Sequence, residues 1–205
     1  MKNLIKAEWI FFQNRLSIIF GWLVVIVFVF TSLFYLAFRQ NPEVMEMVWK
    51  SLGEKFQEAG LISLIGQNPL LLAGKIFWIN FRTTSVFLLL GFLPFFLGAF
   101  LFVMTISALL GVSLALTLSR EMGFWTFLKL TAPHGVFEIV GVIYGVSVGV
   151  YLSREMTKKL FARKREGSVP FVCLLKTAFG SYFLVVAPLL AIGAFLEAFV
   201  TPLLK

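Results

Sequence analysis

The chain has 205 residues, 60% of them hydrophobic and 14% charged, with a formal net charge of +8 and a mean hydropathy of +0.94. A soluble domain is nearer half apolar and a quarter charged, so this composition excludes an ordinary soluble globule and predicts an all-α polytopic membrane helix bundle, one membrane domain over 1–205. The basic residues gather at the ends of apolar segments, which fits topology signals and anionic headgroups rather than nucleic acid, and the single Cys173 excludes an internal disulfide or a multi-cysteine metal site.

Residues 1–15 place Ile5, Trp9 and Phe12 on one side with Lys2, Lys6 and Glu8 around them, a pattern that predicts an interfacial helix lying on the membrane. The run 16–38 is uncharged and too long for a signal-peptide core, and no small-residue cleavage site follows it. It reads as a retained first span. Asn41-Pro42-Glu43 is a helix start, with a capping Asn and a Pro at the first position. Val44, Val48, Leu52 and Phe56 then recur every four residues among charged neighbours, so 41–60 is expected to be an extracytoplasmic amphipathic helix.

Further spans are expected at about 75–93, 95–118, 133–152 and 177–200, about five in all. The short uncharged link Gly91-Phe92-Leu93-Pro94 predicts a tight antiparallel hairpin, and Pro188 predicts a bend in the last span. With five spans the N-terminus and the loop around 153–176 share one side. That side carries Lys2, Lys6, Arg15, Lys176 and the patch Arg154, Lys158, Lys159, Arg163, Lys164, Arg165. The other side has fewer basic residues, spread over longer loops and offset by acids. The expected orientation in the plasma membrane is therefore N-terminus cytoplasmic and C-terminus extracytoplasmic. The basic patch holds topology and touches anionic lipid, or docks a cytosolic partner.

Pro133-His134-Gly135-Val136-Phe137-Glu138 puts two ionisable groups inside an apolar segment. At about 100° per residue, His134, Glu138, Gly141, Gly145 and Gly149 fall within roughly 80° of one another, a polar head followed by a smooth glycine stripe. Charges in such segments tend to be functional. Asn80 and Arg82 enter the second span from the same side as His134 and Glu138, at matching depth. An Arg82–Glu138 ion pair with Asn80 and His134 as partners would relieve both buried charges, and that contact is predicted. Glu197, near the end of the last span, is a weaker candidate for the same cluster. Small residues every four positions let helix backbones approach closely in lipid, so the glycine stripe should meet a neighbouring span or a second copy in a homodimer.

Catalysis is poorly supported. A catalytic zinc takes three protein ligands, whereas this chain has one histidine, no HExxH and no cysteine pair. No glycine-rich phosphate loop and no nucleophile-elbow serine occurs either. No cofactor or metal is expected, and the chain is not read as an enzyme.

On these residues the sequence resembles the stage II sporulation protein M family. The match runs through Pro133-His134-Gly135-x-x-Glu138 and its glycine-rich helix, then Phe77-x-x-Asn80-x-Arg82 leading to Gly91, then Ser107-Ala108-x-x-Gly111, where the family commonly shows an Asn-Gly pair. The resemblance implies a membrane protein of about five helices, and a role similar to that of a scaffold holding cell-wall-degrading enzymes at a membrane. Two functional readings follow. The first is a membrane scaffold or complex subunit, homodimeric and meeting membrane or extracytoplasmic proteins. The alternative is a transporter or channel subunit with a polar pathway at Arg82 and Glu138, distinguished by whether a polar cavity reaches Glu138.

Overall fold

In hydrocarbon a backbone amide finds no water, so long apolar runs satisfy their hydrogen bonds internally as helix. The structure, a computed structural model, describes residues 2–119, 123–161 and 169–204, and no strand occurs among them. Arg163, Lys164 and Arg165 of the basic patch lie outside the described residues.

The chain runs α1 (Lys2–Phe11), a π-turn, α2 (Ser17–Gln40), α3 (Pro42–Glu58), α4 (Pro69–Leu90), α5 (Leu97–Ser119), α6 (Phe124–Phe161), α7 (Phe171–Ser181), a second π-turn and α8 (Ala187–Phe199). Four helical stretches are long and apolar enough to cross a membrane: Asn3–Gln40, Pro94–Ser119, Phe124–Phe161 and Phe171–Phe199. The expected five are thus four by length and composition. The segment around 75–93 is the helix α4, but Lys75, Asn80 and Arg82 dilute its apolar character. Residues 2–15, expected as an interfacial helix, run without a break into the first span. α1 passes through the π-turn at Phe12–Leu16 straight into α2, because nothing in Phe11–Ser17 breaks a helix.

α6 is the central helix, buried continuously from Gly141 to Gly149, and it begins before Pro133 rather than at it. α4 runs beside α6 in the same direction, with Asn80 level with Glu138 and Gly91 against Gly149. α8 runs the opposite way, placing Gly193 at Glu138, Leu189 at Gly141 and Val186 at Gly145. α2 and α5 pair in parallel. Ser107 Oγ donates to the Val27 carbonyl at 3.4 Å, and a Cβ on Gly111 would lie 2.6 Å from Phe34 Cβ. The second π-turn, Tyr182–Val186, immediately precedes Pro188 and is where the α7–α8 rod departs from regular helix.

The α4–α5 link is the tight hairpin expected, and its backbone is strained. Phe95 and Phe96 have φ of 64° and 59°, a region costly for side chains with a Cβ. α6 holds them there: Phe96 N–H donates to Ser153 Oγ at 2.9 Å, and Phe95 N–H donates to Thr157 Oγ1 at 3.2 Å. Ser153 Oγ in turn donates to the Leu93 carbonyl at 2.6 Å. At the opposite end, α3 packs Met45, Val48, Trp49 and Leu52 on the ends of α2 and α5. Val44 and Phe56, expected in that stripe, are exposed.

Candidate functional site

The polar head of α6 faces α4 and α8. Asn80 Nδ2 donates to Glu138 Oε1 at 2.8 Å. Glu138 also lies over Gly193 of α8, where an added Cβ would overlap its Cγ. Glu197 sits one turn beyond Gly193 on that face, and its carboxyl is close enough to Glu138 to interact electrostatically. His134 Nδ1 is 3.1 Å from Thr201 Oγ1, which ties the start of the stripe to the end of α8.

The predicted Arg82–Glu138 pair is absent. Arg82 is exposed, and the one ion pair among the described residues joins Lys158 to Glu155 at 2.6 Å. The reason is helical phase: Asn80 and Arg82 are two residues apart, about 200° around α4, so both cannot face α6. Asn80 turns inward and Arg82 outward, beside exposed Trp78 and Val86.

A cleft of about 230 Å³ opens between α4, α5 and α6 at this level. Asn80, His134 and Glu138 reach it with the hydroxyl-bearing Thr83, Thr105 and Thr131, and the rest of its wall is mostly apolar. Such a set can hydrogen-bond a polar solute. Among the described residues no three His, Cys or Glu side chains converge as metal ligands.

The glycine stripe is covered inside the chain. A Cβ on Gly141 would sit 3.0 Å from Leu189 Cβ, one on Gly145 3.3 Å from Thr84 Cγ2, and one on Gly149 3.7 Å from Gly91 Cα. The stripe therefore offers a second copy no surface; it meets neighbouring helices, the other half of the expectation. Of the basic patch, Arg154 and Lys158 are exposed at the end of α6 and Lys159 is half-buried.

A second polar site has no counterpart in the sequence reading. Tyr144 Oη donates to Glu8 Oε1 at 2.6 Å, and Ser181 Oγ donates to the same oxygen at 2.5 Å. An acid assigned to an interfacial surface is thus held against α6 and α7. The available signal was Tyr144 itself, a hydroxyl in an otherwise apolar helix that needs a partner when buried. Close by, Tyr182 Oη donates to the Phe81 carbonyl at 2.6 Å and lies 2.8 Å from Ser85 Oγ, tying α4 to the second π-turn.

Neither a curated protein nor a solved structure matches the chain. The family model for stage II sporulation protein M matches residues 10–202, from the end of α1 through every later helix to the residues after α8. The chain is a membrane protein by its apolar helices and belongs to the stage II sporulation protein M family.

Proposed function

We propose that the chain is a non-enzymatic membrane scaffold, a subunit of a larger complex in the plasma membrane. It would cross five times, counting α4, with its N-terminus cytoplasmic and its C-terminus extracytoplasmic. Lys75 Nζ donates to the Ala59 carbonyl at 3.0 Å in the loop before α4, which fits the outer boundary of the hydrocarbon. About 20 residues at 1.5 Å each cross a 30 Å core, carrying α4 from Lys75 to the Pro94 turn.

The observation that carries the reading is Arg82, exposed on the outward face of α4 about 10 Å below Lys75 by helical rise. An arginine inside a spanning helix costs about 3 kcal/mol on insertion scales unless it is paired. Among the described residues the acids within this chain's own long helices, Glu8, Glu138, Glu155 and Glu197, are buried or half-buried, so none of them stands exposed to meet the arginine of a second copy. A neighbouring protein with a carboxylate satisfies the charge. Photo-crosslinking from Trp78 and Val86 in native membranes tests this. The expected result is a captured protein, lost in Arg82→Leu; a chain that migrates alone and captures nothing from either position would refute the scaffold reading.

The cleft at Glu138 favours transport as a second reading, since its threonines and carboxyl provide a polar wall. With Cys173 replaced by Ser, single cysteines at Thr105 and Thr131 would report it. Labelling by a membrane-impermeant thiol reagent from both sides would favour a pathway over the scaffold.

A further inference from the structure

The groove around Glu8 has a composition that neither scaffold nor pathway explains. It lies between α1, α2, α6 and the second π-turn, with a volume of about 280 Å³. Four aromatic side chains line it: Trp9, Phe12, Phe20 and Tyr144. The rings of Trp9, Phe20 and Tyr144 each pack on that of Phe12, with centroids 5.8 Å apart for Trp9–Phe12, 5.8 Å for Phe12–Phe20 and 5.7 Å for Phe12–Tyr144. The remaining wall is aliphatic apart from Glu8 itself. Both hydroxyl donors go to Glu8 Oε1, and Oε2 has no hydrogen-bond partner among the described residues. Among the described residues no lysine or arginine lines the groove.

Depth sharpens the point. Ser181 is five residues past Lys176 and Tyr144 ten residues before Arg154, so the two donors sit about 8–15 Å inward from those basic residues, while Lys6 and Arg15, two and seven residues from Glu8 on its own helix, are exposed and do not line the groove. An anion there, among aromatic side chains, is complementary to a cation whose own surface is apolar. An ammonium ion is attracted both by the carboxylate and by the ring quadrupoles, and more strongly where water is excluded. A calcium or magnesium ion fits poorly, since it favours six or more oxygen ligands and the wall supplies one carboxylate.

We infer that this groove is a binding site for a hydrophobic organic ammonium ion, its charged head between Glu8 Oε2 and the aromatic rings and its apolar tail leaving between Ile5 and Trp9. Those two side chains are 57% and 58% exposed, so that side of the groove opens outward. The volume suits a head of trimethylammonium size rather than a whole lipid.

The test uses the purified full chain in neutral maltoside micelles with radiolabelled dodecyltrimethylammonium. Saturable binding is expected, competed by the unlabelled cation and not by dodecanol, which shares the tail and lacks the charge. Glu8→Gln should weaken it by about tenfold or more, and Trp9→Leu, which leaves both hydroxyl bonds to Glu8 in place, by about threefold or more. Circular dichroism melting of each variant separates lost binding from lost fold. Absent saturable binding, equal competition by dodecanol, or unchanged affinity in Trp9→Leu would each overturn the assignment, the last even if Glu8→Gln fails to fold.

Discussion

Gly91 and Gly149 face each other where α4 meets α6, yet alanine should act oppositely at the two positions. A Cβ built on Gly91 would lie 2.6 Å from Gly149 Cα and 3.0 Å from its carbonyl oxygen. Carbon atoms pack best at about 3.5–4.0 Å, so the overlap is nearly 1 Å and falls on backbone that no rotamer change can clear. Gly91 has φ −62°, which alanine adopts freely, so the whole penalty is steric. Forcing the helices apart should cost about 1–3 kcal/mol, the usual range for overpacking. A Cβ on Gly149 instead meets Gly91 Cα at 3.7 Å and the Phe87 carbonyl at 3.9 Å, ordinary contact. There alanine also gains up to about 1 kcal/mol of helix propensity, so Gly149→Ala should be neutral or stabilising. Gly145→Ala and Gly141→Ala, at 3.3 Å and 3.0 Å, should fall between in that order. Thermal inactivation in maltoside, followed by fluorescence-detected size exclusion, ranks all four. Equal damage at Gly91 and Gly149, or a reversed order along α6, would refute the packing argument.

The Asn80–Glu138 bond predicts that Asn80→Ala destabilises the purified chain by about 1–3 kcal/mol by leaving a buried carboxyl without its donor, whereas Arg82→Ala, on the exposed face, leaves its melting temperature within error; equal losses would restore the ion pair inferred from sequence. Tyr144→Phe with Ser181→Ala removes both donors to Glu8 and should loosen α1 by about 0.6–1.7 kcal/mol per bond, read as faster disulfide trapping between cysteines placed on α1 and solvent-side probes; unchanged trapping would show that Phe11 and Phe12 alone hold the helix. Ser153→Ala takes the acceptor from Phe96 N–H and should cost about 1–3 kcal/mol, partly recovered by Phe96→Gly, which relieves the positive φ. No recovery in the double variant would mean that the hairpin backbone relaxes without help.

What the sequence revealed and what it hid divide along the reach of the helix itself. The stripe His134–Glu138–Gly141–Gly145–Gly149 was legible because 100° per residue is a local rule, and the structure lays all three glycines against packed neighbours. The same rule, applied between Asn80 and Arg82, forbids the pair that depth alone suggested; depth along a helix and direction around it are separate coordinates, and a contact needs both. α3 shows the drift in the rule. Four residues turn 400°, so Val44, Val48, Leu52 and Phe56 precess by about 40° a step. The middle two stay packed while the outer two rotate into the open, with Met45 and Trp49 in their place. Glu8 lies beyond any such pattern. Its donors come from 136 and 173 residues away, and no periodicity within α1 distinguishes an acid bound for a groove from one bound for water. The distinction rests on Tyr144 and Ser181, hydroxyls that α6 and α7 would otherwise bury without a partner. Polar groups of that kind, in helices with no reason of their own to carry them, are where a membrane sequence points to contacts its periodicity cannot supply.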